Sequence, residues 1–210
     1  MNIAIPIFDQ LTALDAVGPY EVLSRMPGAT VQFIAQEAGP KRTETGMLAL
    51  TADATLDELP DPDVIVVPGG FGTRALMEDE AMLSWLQAAH EGSQWTTSVC
   101  TGSLLLAAAG ILDGLEATTH WLVLDALRPF GVTPVQRRVV QQGKVITAAG
   151  VSSGIDMALG LVAQIAGDDL AQAIQLGIEY DPEPPFHSGS TAKARPEIVE
   201  LVRDHAAQLA

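Results

Sequence analysis

Basic side chains are scarce in this chain. Eleven Lys and Arg stand against 26 Asp and Glu, a formal net charge of −15 with a pI near 4.4. Such a field repels phosphate backbones and anionic headgroups, which sets nucleic acid and membrane surfaces aside as partners, and its plain consequence is solubility. Cysteine is scarcer still: Cys100 stands alone, forms no internal disulfide, and gives no reason to expect an oxidising compartment. Long apolar runs are missing, none approaching the ~18 residues of a spanning helix. The opening MNIAIPIFDQ has neither the basic segment nor the small-residue cleavage site of a signal peptide, so a cytoplasmic location is expected. The four His are widely spaced and no cysteine pair exists, which argues against a zinc set. Phosphate-loop and dinucleotide-binding glycine patterns are absent too. With three Trp, two Tyr and five Phe, any pocket is expected to be built mainly from aliphatic side chains.

What the chain does have is 48% hydrophobic and 18% charged residues over 210 positions, the balance of a globular protein in one domain, 1–210. Ile3 to Phe8, Thr30 to Ala35, Val64 to Val67 and Trp95 to Val99 read as strands. The Val64 run is apolar at every position, as suits a parallel strand covered on both faces. Gly39-Pro40 reads as a turn. Gly18-Pro19 reads as the start of a helix, proline being welcome in a first turn. Arg74 to Glu91, Gly102 to Ala109, Ile155 to Ile165, Leu170 to Ile178 and Pro196 to Leu209 read as helices. Val135 to Val140 and Lys144 to Ala148 read as a hairpin about Gln142-Gly143. Strands alternating with helices imply an α/β fold, a mainly parallel sheet flanked by helices. Asp181-Pro182-Glu183-Pro184-Pro185 reads as a loop before the last helix.

Ser98-Val99-Cys100-Thr101-Gly102-Ser103 lies where a strand ends and a helix begins. Small neighbours permit the sharp turn of a nucleophile elbow, which exposes its side chain at the carboxyl edge of the sheet, where open α/β folds bind ligands. A helix N-terminus there favours thiolate over thiol. The competing reading is a buried cysteine acting as a small hydrophobe. Asp15 follows the first strand, and a carboxyl held near a thiolate has reason to keep its proton and serve as general acid or base; capping the next helix is the alternative. Gly69-Gly70 follows the Val64 strand, offering backbone N–H groups to developing negative charge or simply a turn. His120 is the nearest plausible imidazole, with a structural role equally open.

The motifs Leu14-Asp15-Ala16-Val17-Gly18-Pro19, Val67-Pro68-Gly69-Gly70, the Cys100 hexapeptide, Ala117-Thr118-Thr119-His120-Trp121, Gly150-Val151-Ser152-Ser153-Gly154-Ile155-Asp156 and Glu179-Tyr180 with Pro184-Pro185-Phe186 resemble the DJ-1/PfpI superfamily, and within it the isocyanide hydratase branch. Thr101 stands where PfpI-type peptidases carry histidine. Asp15 stands in place of the glutamate of DJ-1-type members. A further branch fuses a similar domain to an AraC-type DNA-binding module. The resemblance implies a flavodoxin-like three-layer sandwich, a homodimer, and hydration of a small-molecule isocyanide to an N-substituted formamide without metal or organic cofactor. It places Val151 and Ser152 close to the cysteine, and a mechanism consistent with it has a Cys100 thioimidate with Asp15 as acid and base, Thr101 and Gly70 as N–H donors, and the Thr101 hydroxyl orienting the acid, a simple helix-start role for Thr101 being equally open. Ser152 or Ser153 read equally well as a helix cap. The same features also fit a peroxide sensor, a freestanding ligand-binding regulatory domain, or an enzyme acting on another electrophile such as a glyoxal.

Overall fold

The structure is a computed structural model that describes residues 1–209, with side chains through residue 207. It divides into two compact units, Met1–Ile178 and a second that begins at Glu179. The first half of the larger unit runs β1 (Asn2–Pro6), α1 (Ala13–Leu23), β2 (Thr30–Ala35), β3 (Gly39–Arg42), β4 (Ala49–Ala52), β5 (Ala54–Thr55), β6 (Val64–Val67), α2 (Thr73–Leu76) and α3 (Glu80–Gly92). It continues through β7 (Trp95–Val99), α4 (Gly102–Ala108), β8 (Glu116–Ala117), a 3-10 segment (Trp121–Phe130), β9 (Thr133–Pro134), β10 (Val139–Gln142), β11 (Val145–Ala148), α5 (Ser153–Ala166) and α6 (Asp168–Gly177). The second unit carries α7 (Pro196–Leu209).

Seven strands form one sheet in the order β10-β11-β7-β6-β1-β2-β5. Every neighbouring pair is parallel except the edge hairpin β10–β11. All four residues of β6 and of β11 are buried, so the β-branched runs lie under helices on both faces. Helices α1, α5 and α6 pack together as one layer, and α2, α3 and α4 as another. This is the flanked, mainly parallel sheet that the alternating pattern implies.

The chain winds from β1 to β2 in one direction and then crosses back to β6 on the other side of β1. That reversal is a topological switch point, and open α/β sheets hold their ligands at its carboxyl edge. Four adjacent strands, β11, β7, β6 and β1, therefore deliver their following residues to one place: Val151, Cys100, Gly69-Gly70 and Asp15.

Several local readings change. Pro19 does not open a helix. It lies inside α1, which begins six residues earlier after Thr12 in extended conformation. Asp15 consequently sits in the first turn of α1, not in a loop, and Pro19 removes the N–H that would bond its carbonyl. The expected helix from Arg74 to Glu91 is two helices, because the Asp79 side chain accepts the Met82 N–H at 2.9 Å and caps α3. Gly39-Pro40 opens β3, whose partner is β4 alone, a small ladder in which proline's missing donor is tolerated. Val135 bonds back to Ala117 and belongs to the turn before β10, so the hairpin strand starts at Val139.

Gly102 makes the elbow close-packed. A Cβ there would collide with the Val67 and Pro68 carbonyl oxygens of the neighbouring strand end. In α5, Gly160 has nothing within 4 Å of the same position. Alanine normally gains ~1 kcal/mol over glycine inside a helix. Gly160→Ala is expected to raise the melting temperature and Gly102→Ala to lower it, both read by thermal denaturation.

Candidate active site at the Cys100 elbow

Cys100 carries a backbone φ of 56°, in the left-handed region where a non-glycine residue stores ~1–3 kcal/mol of strain. Four hydrogen bonds hold it there. Its N–H donates to the Ala148 and Ala149 carbonyls (3.1 and 2.9 Å), and its carbonyl accepts from the Ser103 and Thr119 hydroxyls (3.2 and 2.9 Å). Thr119 is a residue the sequence reading passed over in favour of its neighbour His120. Val151 is also strained, with φ 29°, and its N–H and that of Thr101 are directed at the Cys100 side chain. The side chain is 6% exposed.

Asp15 is completely buried. Its Oδ2 accepts the Gly69 N–H at 2.9 Å, while Oδ1 makes no hydrogen bond of good geometry. The Gly70 N–H donates to the Thr101 Oγ1 at 2.8 Å, and that hydroxyl lies 3.1 Å from the Gly70 carbonyl. Both glycine N–H groups, read as candidate anion donors, are thus already engaged within the protein. A Cβ at Gly69 would lie 2.5 Å from Thr101 N and 2.9 Å from Asp15 Oδ2, so only glycine lets these three segments meet.

Burial pushes the Asp15 carboxyl up to about 7, against the Gly69 hydrogen bond, and the Glu44 charge adds to the rise. Burial also pushes the Cys100 thiol up to about 12, assisted by the Asp15 charge and opposed by the Val151 and Thr101 N–H groups. The expectation that a helix start would favour free thiolate is therefore corrected: α4 is one short helix, and desolvation outweighs it. Above about 7 the pair retains a single proton, the thiol's, and below it both groups are protonated. Glu44 had no sequence signal. It is exposed, lies in the β3–β4 connection, and accepts the Thr12 hydroxyl at 3.0 Å.

Ser152 is exposed at the N-cap of α5 without a capping bond. Its hydroxyl lies 3.4 Å from Arg138, which is also ion-paired with Asp156. Ser153 instead donates to the Gly150 carbonyl at 2.9 Å. His120 packs its ring against Gly150 and accepts the Leu122 N–H at 3.4 Å, making no hydrogen bond to Cys100. Burial lowers its pKa. Among the described residues no three His, Cys, Asp or Glu side chains gather as a metal set, and no helix is long and apolar enough to cross a membrane.

Fold and elbow together define an α/β protein with a buried cysteine–carboxyl pair at its switch point. The chain belongs to the DJ-1/PfpI family, whose model matches residues 1–164. It is 43% identical to the Isonitrile hydratase of Pseudomonas putida over 207 residues, covering 99% of this chain and 90% of that protein. It is 32% identical over 174 residues to the HTH-type transcriptional regulator CdhR of Pseudomonas aeruginosa, covering 80% of this chain and 50% of the regulator. The solved structure of a ThiJ/PfpI family protein from Pseudomonas syringae superposes with a TM-score of 0.95 at 36% identity, covering 99% of this chain and 86% of that one.

A buried carboxyl whose pKa is raised binds its proton more tightly in the folded state than in the unfolded one. Stability therefore falls as pH rises from about 4 to about 7, and the penalty stays above that. Asp15→Asn keeps an acceptor for Gly69 and removes the titration. Its stability relative to the parent is expected to grow across that window, toward a limit on the order of 4 kcal/mol. Denaturation at pH 5 and pH 8 measures this, and a pH-independent difference would contradict the raised pKa.

Proposed function

We propose that the protein is an isocyanide hydratase, adding water to an isocyanide to give an N-substituted formamide without metal or organic cofactor. The observation that carries this reading is the buried Asp15 carboxyl beside the Cys100 thiol, in a chain 43% identical to a protein named Isonitrile hydratase.

The isocyanide's terminal carbon bears a lone pair and accepts both a proton and a nucleophile. The Cys100 sulfur bonds to that carbon while the pair's proton moves to the same carbon, giving a thioimidate, R–N=CH–S–Cys100. Asp15 is then a carboxylate; it takes a proton from water as the water oxygen adds to the carbon and passes that proton to the nitrogen, giving R–NH–CH(OH)–S–Cys100. Collapse breaks the C–S bond as the hydroxyl proton passes to the sulfur, releasing R–NH–CHO and regenerating the Cys100 thiol beside the Asp15 carboxylate. This is nucleophilic catalysis with a carboxyl shuttle. A raised carboxyl pKa suits the task, because both forms are populated near neutrality. Thr101 and Val151 N–H groups stabilise the departing thiolate. The Thr101 hydroxyl holds Gly70, and Gly69 beside it orients the acid. Ser152 is the rim residue of the same turn.

The regulator relative supports a second reading, a domain that binds a small molecule and does not consume it. A purified sample given an aryl isocyanide separates the two. Gain of one water by mass, lost in Cys100→Ala and reduced on the order of 10²-fold or more in kcat by Asp15→Asn, is expected. Binding without turnover would favour the regulatory domain. A fall of less than about threefold in Asp15→Asn would remove the acid–base role.

The proposal includes a homodimer. Leu14, Met47 and Leu48 are exposed apolar side chains, Met47 at 83%, on the segments that carry Asp15 and Glu44. A second copy covers such a patch by symmetry. Sedimentation velocity is expected to give a dimer, which Met47→Asp weakens; a monomeric parent would contradict it.

A further inference from the structure

A cavity of about 350 Å³ opens at the carboxyl ends of β1 and β2. Its volume lies in the small-ligand range. Asp15, Gly69, Cys100 and Thr101 do not line it, so it is separate from the thiol site. Ile7, Phe8, Ala35, Leu76 and Met82 make an apolar wall, and Asp9, Gln10, Gln36 and Lys41 supply the polar groups.

The polar groups differ in how far they are already satisfied. The Gln36 amide donates to Asp79 Oδ1 at 2.6 Å. Asp9 Oδ1 accepts the backbone N–H of Arg42 at 2.8 Å, which anchors the carboxylate next to the residue that follows Lys41 and leaves Oδ2 open. The Lys41 side chain has no hydrogen bond or ion pair among the described residues. Asp9 and Lys41 are the two charged side chains of the lining. They have opposite sign, line one cavity, and do not pair with each other. Asp9 is exposed and Lys41 half-buried, so water serves both in the free cavity; an occupant carrying both signs replaces that water with two ion pairs, whereas one of single charge faces repulsion from the like-signed group.

We propose that this cavity binds a small zwitterion with an apolar body, the chemistry of an α-amino acid with a leucine-like or phenylalanine-like side chain. Lys41 receives the carboxylate, Asp9 the ammonium, and the wall of Phe8, Leu76 and Met82 the side chain. The cavity also backs onto the thiol site. Gln10, at φ 63°, accepts the Gly72 N–H at 3.2 Å and packs its carbonyl against Gly70. An occupant therefore touches the segment that holds the acid from behind. Nothing in this inference depends on the reaction proposed for Cys100.

Calorimetric titration of the full chain with L-leucine and L-phenylalanine tests it, with hexanoate and hexylamine as single-charge controls. Saturable binding by at least one amino acid is expected, weakened tenfold or more by Lys41→Gln and by Asp9→Asn and unchanged in Cys100→Ala. Both rim variants are surface substitutions, and unchanged thermal melts confirm that they fold. Absence of saturable binding up to the solubility limit overturns the proposal. So does binding that survives both rim variants, or hexanoate or hexylamine binding as tightly as the amino acids.

Discussion

A carboxyl group with no solvent exposure, held by a single amide N–H and set beside a thiol, is the constraint around which this structure is arranged. Asp15 cannot be left charged in that position cheaply, since one Gly69 hydrogen bond answers only one of its oxygens. Burial resolves the conflict by retaining a proton near neutrality. The same burial keeps Cys100 a thiol at rest. Neither group alone suits chemistry on a neutral electrophile, but side by side they offer a nucleophile and a proton carrier in one arrangement.

The fold enforces that arrangement through backbone, with few side chains involved. Four adjacent parallel strands end beside one another, and each contributes one turn. Gly69 and Gly102 allow those turns to approach closer than any Cβ permits. The strained φ values of Cys100 and Val151 are tolerated because Ala148, Ala149, Ser103, Thr119 and Ser153 hydrogen-bond the backbone on both sides. Strain and burial coincide at Cys100, which is how an α/β sheet stores reactivity at its edge.

The parts legible in the sequence are those fixed by local pattern. Val64–Val67 and Trp95–Val99 read as strands because runs of buried β-branched and small residues bounded by turn signals have few other uses. Cys100 read as an elbow because it joins such a strand to a small-residue helix. Asp15 was legible by position only. Its place inside α1 was hidden by Gly18-Pro19, which looks like a helix start and is in fact interior, a case of tertiary packing overriding propensity. Glu44 was not legible at all. An exposed acid in a short hairpin carries no signal of its own, and it matters because a long-range contact brings it toward Asp15. Thr119 was overshadowed by a histidine whose chemistry looks more useful and whose ring only packs on Gly150. The thiolate that a helix terminus would favour is absent at rest because desolvation of Cys100 outweighs one short helix.

The central claim, that burial sets the protonation of Asp15 next to Cys100, is tested most directly by following the Asp15 carboxyl itself. Carbon-13 NMR of protein labelled at the aspartate side-chain carbonyl, with Asp15→Asn identifying the resonance, gives its titration midpoint. A midpoint near 7 is expected. A midpoint at the ordinary carboxylate value of about 4 would mean that the acid is charged and solvated at neutral pH, and the raised proton affinity on which the account rests would be gone.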